Sequence, residues 1–150
     1  MLHNSQIIPH EQYVKMFDKK RLANYAIGLI RLETPIDFKQ LPNLGTVNLT
    51  SSSDQFQMNR CVMESFNERF HLSQTAVALN ESKNDFFKSL TKLNKKNKGN
   101  PVLCPNISSN QMVQVAVLAN ITQKSSKFSK VSFHYKWILN QISLSQMRHL

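Results

Sequence analysis

The side chains best suited to chemistry in this 150-residue sequence are two cysteines and five histidines. Cys61 and Cys104 are too few to build a four-cysteine zinc site, and the histidines show none of the short spacings of metal ligands. The glycines Gly28, Gly45 and Gly99 lie far apart, whereas a phosphate-binding loop needs several glycines close together. We therefore expect neither a metal nor a nucleotide cofactor.

Lysines form the most distinctive charged feature. The sequence has 19 Lys and Arg against 9 Asp and Glu, which gives a formal net charge of +10. One dense group consists of Lys88, Lys92, Lys95, Lys96 and Lys98. Such a group attracts polyanions, but a solvated basic loop is the more usual meaning, and both interpretations stay open.

The same segment argues against two more specific activities. Nucleic-acid binding is not expected, because residues 88–98 lack the arginines that read base edges and the aromatic rings that stack on bases. Lys98 is also a poor candidate nucleophile, because it lies among other lysines with no general base beside it.

Four Asn-x-Ser/Thr sequons, at Asn48, Asn80, Asn106 and Asn120, could be glycosylated only in a secretory lumen. An asparagine-rich sequence also produces such triplets by chance. Residues 1–12 carry no charged n-region, apolar core or small-residue cleavage site of a signal peptide. The sequons thus favour an extracellular protein, although the sequence shows no export signal.

Short strands account for most of the apolar pattern. They are predicted over residues 25–32, 46–49, 60–66, 75–79, 111–119 and 128–133. In the clearest of them, Val113, Val115 and Val117 alternate and should share one face of a sheet. No apolar run approaches the length of about 20 residues that a membrane span needs. The pattern indicates a single all-β domain.

Two helices are predicted besides the strands. Ser82 and Asp85 have the spacing of a capping box, which predicts a short helix over residues 82–90. Tyr135, Ile138 and Ile142 recur at helical spacing and predict an amphipathic terminal helix over residues 134–147.

Four segments, in order, resemble the trypsin-like serine proteases. Residues 7–13 (IIPHEQY) are similar to the family's IIPHPxY, and residues 26–36 (AIGLIRLETPI) to DIALLRLxxPI, which begins with the catalytic aspartate. Residues 98–104 (KGNPVLC) are similar to SGGPLVC, which begins with the nucleophilic serine. Residues 128–138 (FSKVSFHYKWI) are similar to YTRVSxYxxWI. Together these segments cover the chain from near its start to its last helix.

The resemblance implies that the catalytic residues are missing. In the family a serine attacks, a histidine takes its proton, and an aspartate orients the histidine. The aspartate position falls on Ala26 and the serine position on Lys98, while the histidine would precede Met1. The aspartate that precedes the serine in the family falls on Asn97. His10 is expected at a surface position.

The resemblance also implies a lost substrate pocket and a retained disulfide. The SWG segment that borders the substrate in the family falls on residues 119–121 (ANI). Cys61 and Cys104 match two positions that the family joins, although two separate buried thiols stay an alternative. The implied fold is a chymotrypsin-like double β-barrel with a C-terminal α-helix. Residues 1–50 would form the remainder of an incomplete first barrel, and residues 51–150 the second barrel and the helix.

The expected function is that of a secreted, catalytically inactive serine protease homologue that binds or regulates a protein partner whose identity the sequence leaves open. A basic polyanion-binding module is the alternative from a different class. An active serine-type endopeptidase would follow from the family resemblance alone, and the residues at Ala26 and Lys98 argue against it.

Overall fold

The computed structural model describes residues 5–15, 25–51, 54–67, 69–82 and 85–147. Near the start of the chain, strands β1 (Ser5–Pro9) and β2 (Gly28–Leu32) pair antiparallel as a two-stranded sheet, with Ile7 opposite Ile30. Helix α1 (Glu11–Lys15) follows β1 directly. The predicted strand over residues 25–32 is thus confirmed in its second part only.

The remaining strands form one larger sheet. They are β3 (Asn48–Leu49), β4 (Cys61–Phe66), β5 (Leu72–Val77), β6 (Asn80–Glu81), β7 (Phe86–Ser89), β8 (Pro101–Pro105), β9 (Met112–Ile121) and β10 (Ser126–Lys130). The order is β5-β4-β8-β9-β10-β7-β6, and β3 pairs with β9 in parallel. Because two residues alone separate β5 from β6, the two ends of this path lie close together, and the sheet curves into a half-barrel, called the barrel from here on.

The barrel encloses the hydrophobic core. Its buried members are Cys61, Met63, Val77, Leu79, Phe87, Val102, Cys104, Val113, Val115, Ala116, Leu118 and Phe128. Along β4 the alternate residues Cys61, Met63 and Ser65 point inward, as expected of a strand with one face on a core. Cys61 and Cys104 form a disulfide between the neighbouring strands β4 and β8, with 4.2 Å between their Cα atoms. The predicted disulfide is confirmed.

Strand β9 changes face partway along its length. Val113 and Val115 are buried as predicted, but the inward positions after them are Ala116 and Leu118. The register with β8 shifts at Val102, so that Val115 is an extra residue and the alternation reverses its phase. The prediction that Val117 shares the face of Val113 and Val115 is therefore wrong.

Helix α2 (Val131–Met147) follows β10 without a break and begins three residues earlier than predicted. Its buried residues are Val131, His134 and Ile138. Ile142, assigned by the sequence to the apolar face, is 46% exposed. In the described part of the chain, no helix is long and apolar enough to cross a membrane.

The helix predicted over residues 82–90 is wrong. Within this segment, Phe86–Ser89 instead form β7, which pairs with β10 on one side and with β6 on the other. Phe87 and Ser89 are buried while Lys88 is exposed, a period of two that no helix gives. Pairing on both sides outweighs the local capping signal, whose contribution is about 1 kcal/mol.

Candidate functional site

A cleft of about 690 Å³ lies between the two-stranded sheet and the barrel. Residues before and along β2 form one wall, and residues 98–101 with part of β9 form the other. Ala26 and Lys98, the two positions that the sequence matched to a catalytic aspartate and serine, both line this cleft. The fold thus brings together two residues that lie far apart in the sequence.

The cleft has little capacity for acid–base chemistry. In the described part of the chain, Lys98 is the only charged residue that lines it, and none of the lining residues is Asp, Glu, His, Ser or Cys. Ala26 offers only a methyl group, while its backbone carbonyl accepts a hydrogen bond from Ser129 Oγ at 3.4 Å. Among the described residues that line the cleft, no nucleophile and base face each other as nucleophilic catalysis requires.

A short 3-10 helix (Lys95–Asn97) positions Lys98, and two asparagines fix that helix. The Asn94 side chain accepts a hydrogen bond from the backbone N–H of Lys96 at 3.0 Å. In return, the Asn97 side chain accepts one from the backbone N–H of Asn94 at 3.1 Å. These reciprocal bonds satisfy the backbone at the start of the helix. Asn97 therefore serves the local backbone at the position where the family resemblance places an aspartate.

The same turn uses the backbone groups that would form an oxyanion hole. In the family two N–H groups do this, that of the serine and that of the residue two before it. With the serine position on Lys98, these are the N–H groups of Lys98 and Lys96. Lys98 donates to the carbonyl of Lys95 at 3.4 Å, and Lys96 donates to Asn94 Oδ1. Both donors are directed into the turn rather than toward a developing oxyanion, where catalysis needs them.

Gly99 anchors this turn to the barrel. Its N–H donates to the carbonyl of Leu118 at 2.8 Å, and Leu118 in turn donates to the carbonyl of Asn100 at 3.0 Å. Gly99 has a φ of +87°, a conformation that side chains with a Cβ rarely adopt. The turn that carries Lys98 is thus fixed at both ends.

His10 is buried, and its expected surface position is wrong. Its ring packs on Trp137 at 4.6 Å between centroids, and on Tyr25 and His134 at 5.0 Å each. Nδ1 accepts a hydrogen bond from the backbone N–H of Gln12 at 3.2 Å. Burial lowers the pKa of His10, and the nearby Glu11 carboxylate opposes that change only in part. The neutral ring joins the chain's beginning to helix α2.

Residues 119–121, matched to the segment that borders the substrate in the family, lie at the end of β9. Ala119 lines the cleft, whereas Asn120 and Ile121 are paired with Lys127 and Ser126 of β10. The Asn120 side chain accepts a hydrogen bond from the N–H of Ile121. Nothing aromatic covers the cleft from this described segment, in contrast to the tryptophan of the family motif.

The four sequon asparagines differ in accessibility. Asn48 and Asn80 are exposed at the start of β3 and of β6. Asn106 and Asn120 are half-buried, and their side-chain oxygens accept backbone hydrogen bonds.

Among the described residues, no group of three His, Cys, Asp or Glu side chains could hold a metal ion.

The lysine group of residues 88–98 is divided by the fold. Lys98 lines the cleft, Lys95 and Lys96 lie on the 3-10 helix, Lys92 lies in the loop before it, and Lys88 lies on β7.

The ring cluster around His10 could not be predicted from the sequence, because its members come from both ends of the chain and have no regular spacing. The IIPHEQY segment was the one signal that marked His10.

Comparison with known proteins identifies the fold. No family profile matches the chain, and no curated protein matches it by sequence. The crystal structure of an inactivated protease paralogue from the scabies mite matches with a TM-score of 0.63 at 12% sequence identity. The superposition covers 92% of this chain and 67% of that one. With its mainly β architecture and C-terminal helix, the chain therefore has the fold of the chymotrypsin-like serine proteases.

Proposed function

We propose that the chain is a catalytically inactive serine protease homologue that acts by binding a protein partner. The observation that carries this proposal is the turn at residues 94–98. It directs the N–H groups of Lys96 and Lys98 into internal hydrogen bonds, and Lys98 stands at the position that the sequence resemblance matches to the nucleophilic serine. Ala26 across the cleft cannot orient a histidine. The mite neighbour is itself described as an inactivated protease paralogue.

The cleft supports a binding role. Its lining is mainly aliphatic, and Ile7 and Ile30 beside it are 73% and 66% exposed. Ile7 and Ile30 are register partners on adjacent strands, so their exposed side chains are contiguous, and contiguous apolar patches mark binding sites more often than scattered residues do. A peptide segment of a partner protein is the ligand that we expect this apolar cleft between two sheets to accept.

An extracellular location is part of the proposal. A disulfide joins Cys61 and Cys104, and such bonds persist mainly in oxidising compartments. Asn48 and Asn80 carry sequons at exposed positions, where an oligosaccharide has room. Expression through a eukaryotic secretory pathway should therefore give glycoprotein whose mass falls on treatment with an amidase that removes N-linked glycans. An Asn48→Gln/Asn80→Gln variant should lose most of that shift, and an unglycosylated secreted product would contradict this part.

The decisive test for inactivity is covalent labelling with a fluorophosphonate, which reacts with activated serines. We expect no labelling and no hydrolysis of peptide esters by the oxidised protein, next to active trypsin at the same concentration. The Ala26→Asp/Lys98→Ser variant should also stay unlabelled, because its backbone donors remain engaged and none of the described residues that line its cleft is histidine. Stoichiometric labelling of the unaltered protein would overturn the proposal and identify a serine endopeptidase.

A further inference from the structure

Two lysines from distant parts of the sequence face each other on the outside of the barrel. Lys88 of β7 and Lys127 of β10 are direct register partners on adjacent strands. Their Nζ atoms lie 6.0 Å and 4.8 Å from the centre of the same ring, that of Phe86. Both ammonium groups thus lie within about 6 Å of the centre of one aromatic ring.

The positive charge of this pair is not balanced within its row of the sheet. Lys88 is also the register partner of Asn80 on β6, and Lys127 that of Asn120 on β9. The row across four strands therefore consists of two lysines between two neutral amides. The acid in the adjacent row, Glu81, forms a salt bridge with Lys130 instead.

The two ammonium groups repel each other across the strands, although each also has a cation–π contact with Phe86. Like charges directly opposite on neighbouring strands repel each other, at a cost of a few tenths of a kcal/mol or more. An oxyanion between the two ammonium groups would remove that repulsion and form charge-assisted hydrogen bonds with both. The net charge of +10 would attract a polyanion over longer distances.

We infer that the outer face of strands β6, β7, β10 and β9 binds a sulfated polysaccharide. Lys88 and Lys127 form the centre of this lysine row, and the exposed Lys92, Lys95 and Lys96 follow β7 along the chain. The site is distinct from the cleft and does not depend on the proposed function.

The chemistry of the row favours a sulfated polysaccharide over other polyanions. The face of the Phe86 ring is covered by ammonium groups and so cannot stack on a nucleic-acid base, and the row has no arginine to read base edges. A bilayer would require apolar side chains that project beyond the charges, whereas Phe86 lies half-buried beneath them. Sulfate groups repeated along a flexible polymer need only an exposed series of cations.

The test is binding of heparin to the oxidised full-length chain, measured over a range of NaCl concentrations. A Lys88→Gln/Lys127→Gln variant should bind on the order of 10-fold more weakly near 0.15 M salt. The slope of log K against log salt should fall by about 2, one for each lost contact. A Lys15→Gln/Lys39→Gln variant has the same net charge but changes exposed lysines elsewhere, and its slope should not change.

Equal losses in the two double variants would overturn the inference, since only the total charge would then matter. Absence of heparin binding would overturn it as well. Tighter binding to duplex DNA or to anionic phospholipid vesicles than to heparin, at equal salt, would refute the assigned ligand class. The Tm of both variants should be no lower than that of the parent by more than about 2 °C, which would show that any loss of binding is not a loss of folding.

Discussion

Reduction of the disulfide between Cys61 and Cys104 should destabilise the protein by about 4 kcal/mol. The two residues are 43 apart in sequence. Closing a loop of that size removes about 13 cal/mol/K of entropy from the unfolded chain, which is about 4 kcal/mol at 25 °C. Both residues are buried, at 2% and 0% exposure, so the strands on either side should hold the reduced thiols in place. For a chain of this length the expected fall in Tm is about 12 °C.

The assay is urea unfolding with and without a phosphine reductant, with thiol titration to confirm that the bond has opened. A Cys61→Ala/Cys104→Ala variant is the matched control and should not respond to the reductant. If the oxidised and reduced proteins differed by less than about 1 kcal/mol, the loop-entropy argument would fail for this domain. A reduced protein unfolded without urea would show instead that the bond is required for the fold.

Three further outcomes follow from burial and backbone conformation. Burial lowers the pKa of His10, so the unfolded chain takes up the proton before the folded chain does as the pH falls. His10 therefore contributes stability above about pH 6.5 that is lost at lower pH. In urea unfolding, a His10→Phe variant should have a flatter profile of stability against pH between about pH 7 and 5. Calorimetry should show that Phe128→Ala, which removes a fully buried ring, lowers the free energy of unfolding by about 3–5 kcal/mol. Phe70→Ala, which removes a ring that is 85% exposed, should lower it by less than about 0.5 kcal/mol. Similar losses in the two variants would contradict the assigned core. Gly99→Ala should cost about 1 kcal/mol because of its positive φ, whereas Gly45→Ala should be neutral or stabilising; a neutral Gly99→Ala would refute the left-handed turn.

The sequence was informative wherever a strand pairs with close neighbours in a regular register. The predicted strand over residues 60–66 differs from β4 by one residue, and that over 111–119 overlaps most of β9. The resemblance to serine proteases identified the fold, the disulfide, and two positions, Ala26 and Lys98, that the folded chain brings to one cleft. Whether these two positions correspond to the catalytic ones stays a prediction.

The failures have a common physical cause. The capping spacing of Ser82 and Asp85 is a local signal, while β7 gains hydrogen bonds to two neighbouring strands that no local pattern reveals. Val117 was assigned to the wrong face because a single extra residue in β9 reverses every later side chain. The pairing of Lys88 with Lys127 depends on register between strands far apart in the sequence, and so could not be predicted from composition.

The ring cluster that joins His10 to helix α2 has a consequence for biosynthesis. His10 and His134 contact each other across about 120 residues, a separation that makes such contacts slow to form. During translation at about 5–20 residues per second, His10 would wait from about 6 to 25 seconds for the helix residues that it packs against. Ile7 and Ile30, exposed even in the folded chain, would be available to chaperones throughout that interval. The nascent polypeptide should therefore be open to a holding chaperone until helix α2 has been synthesised.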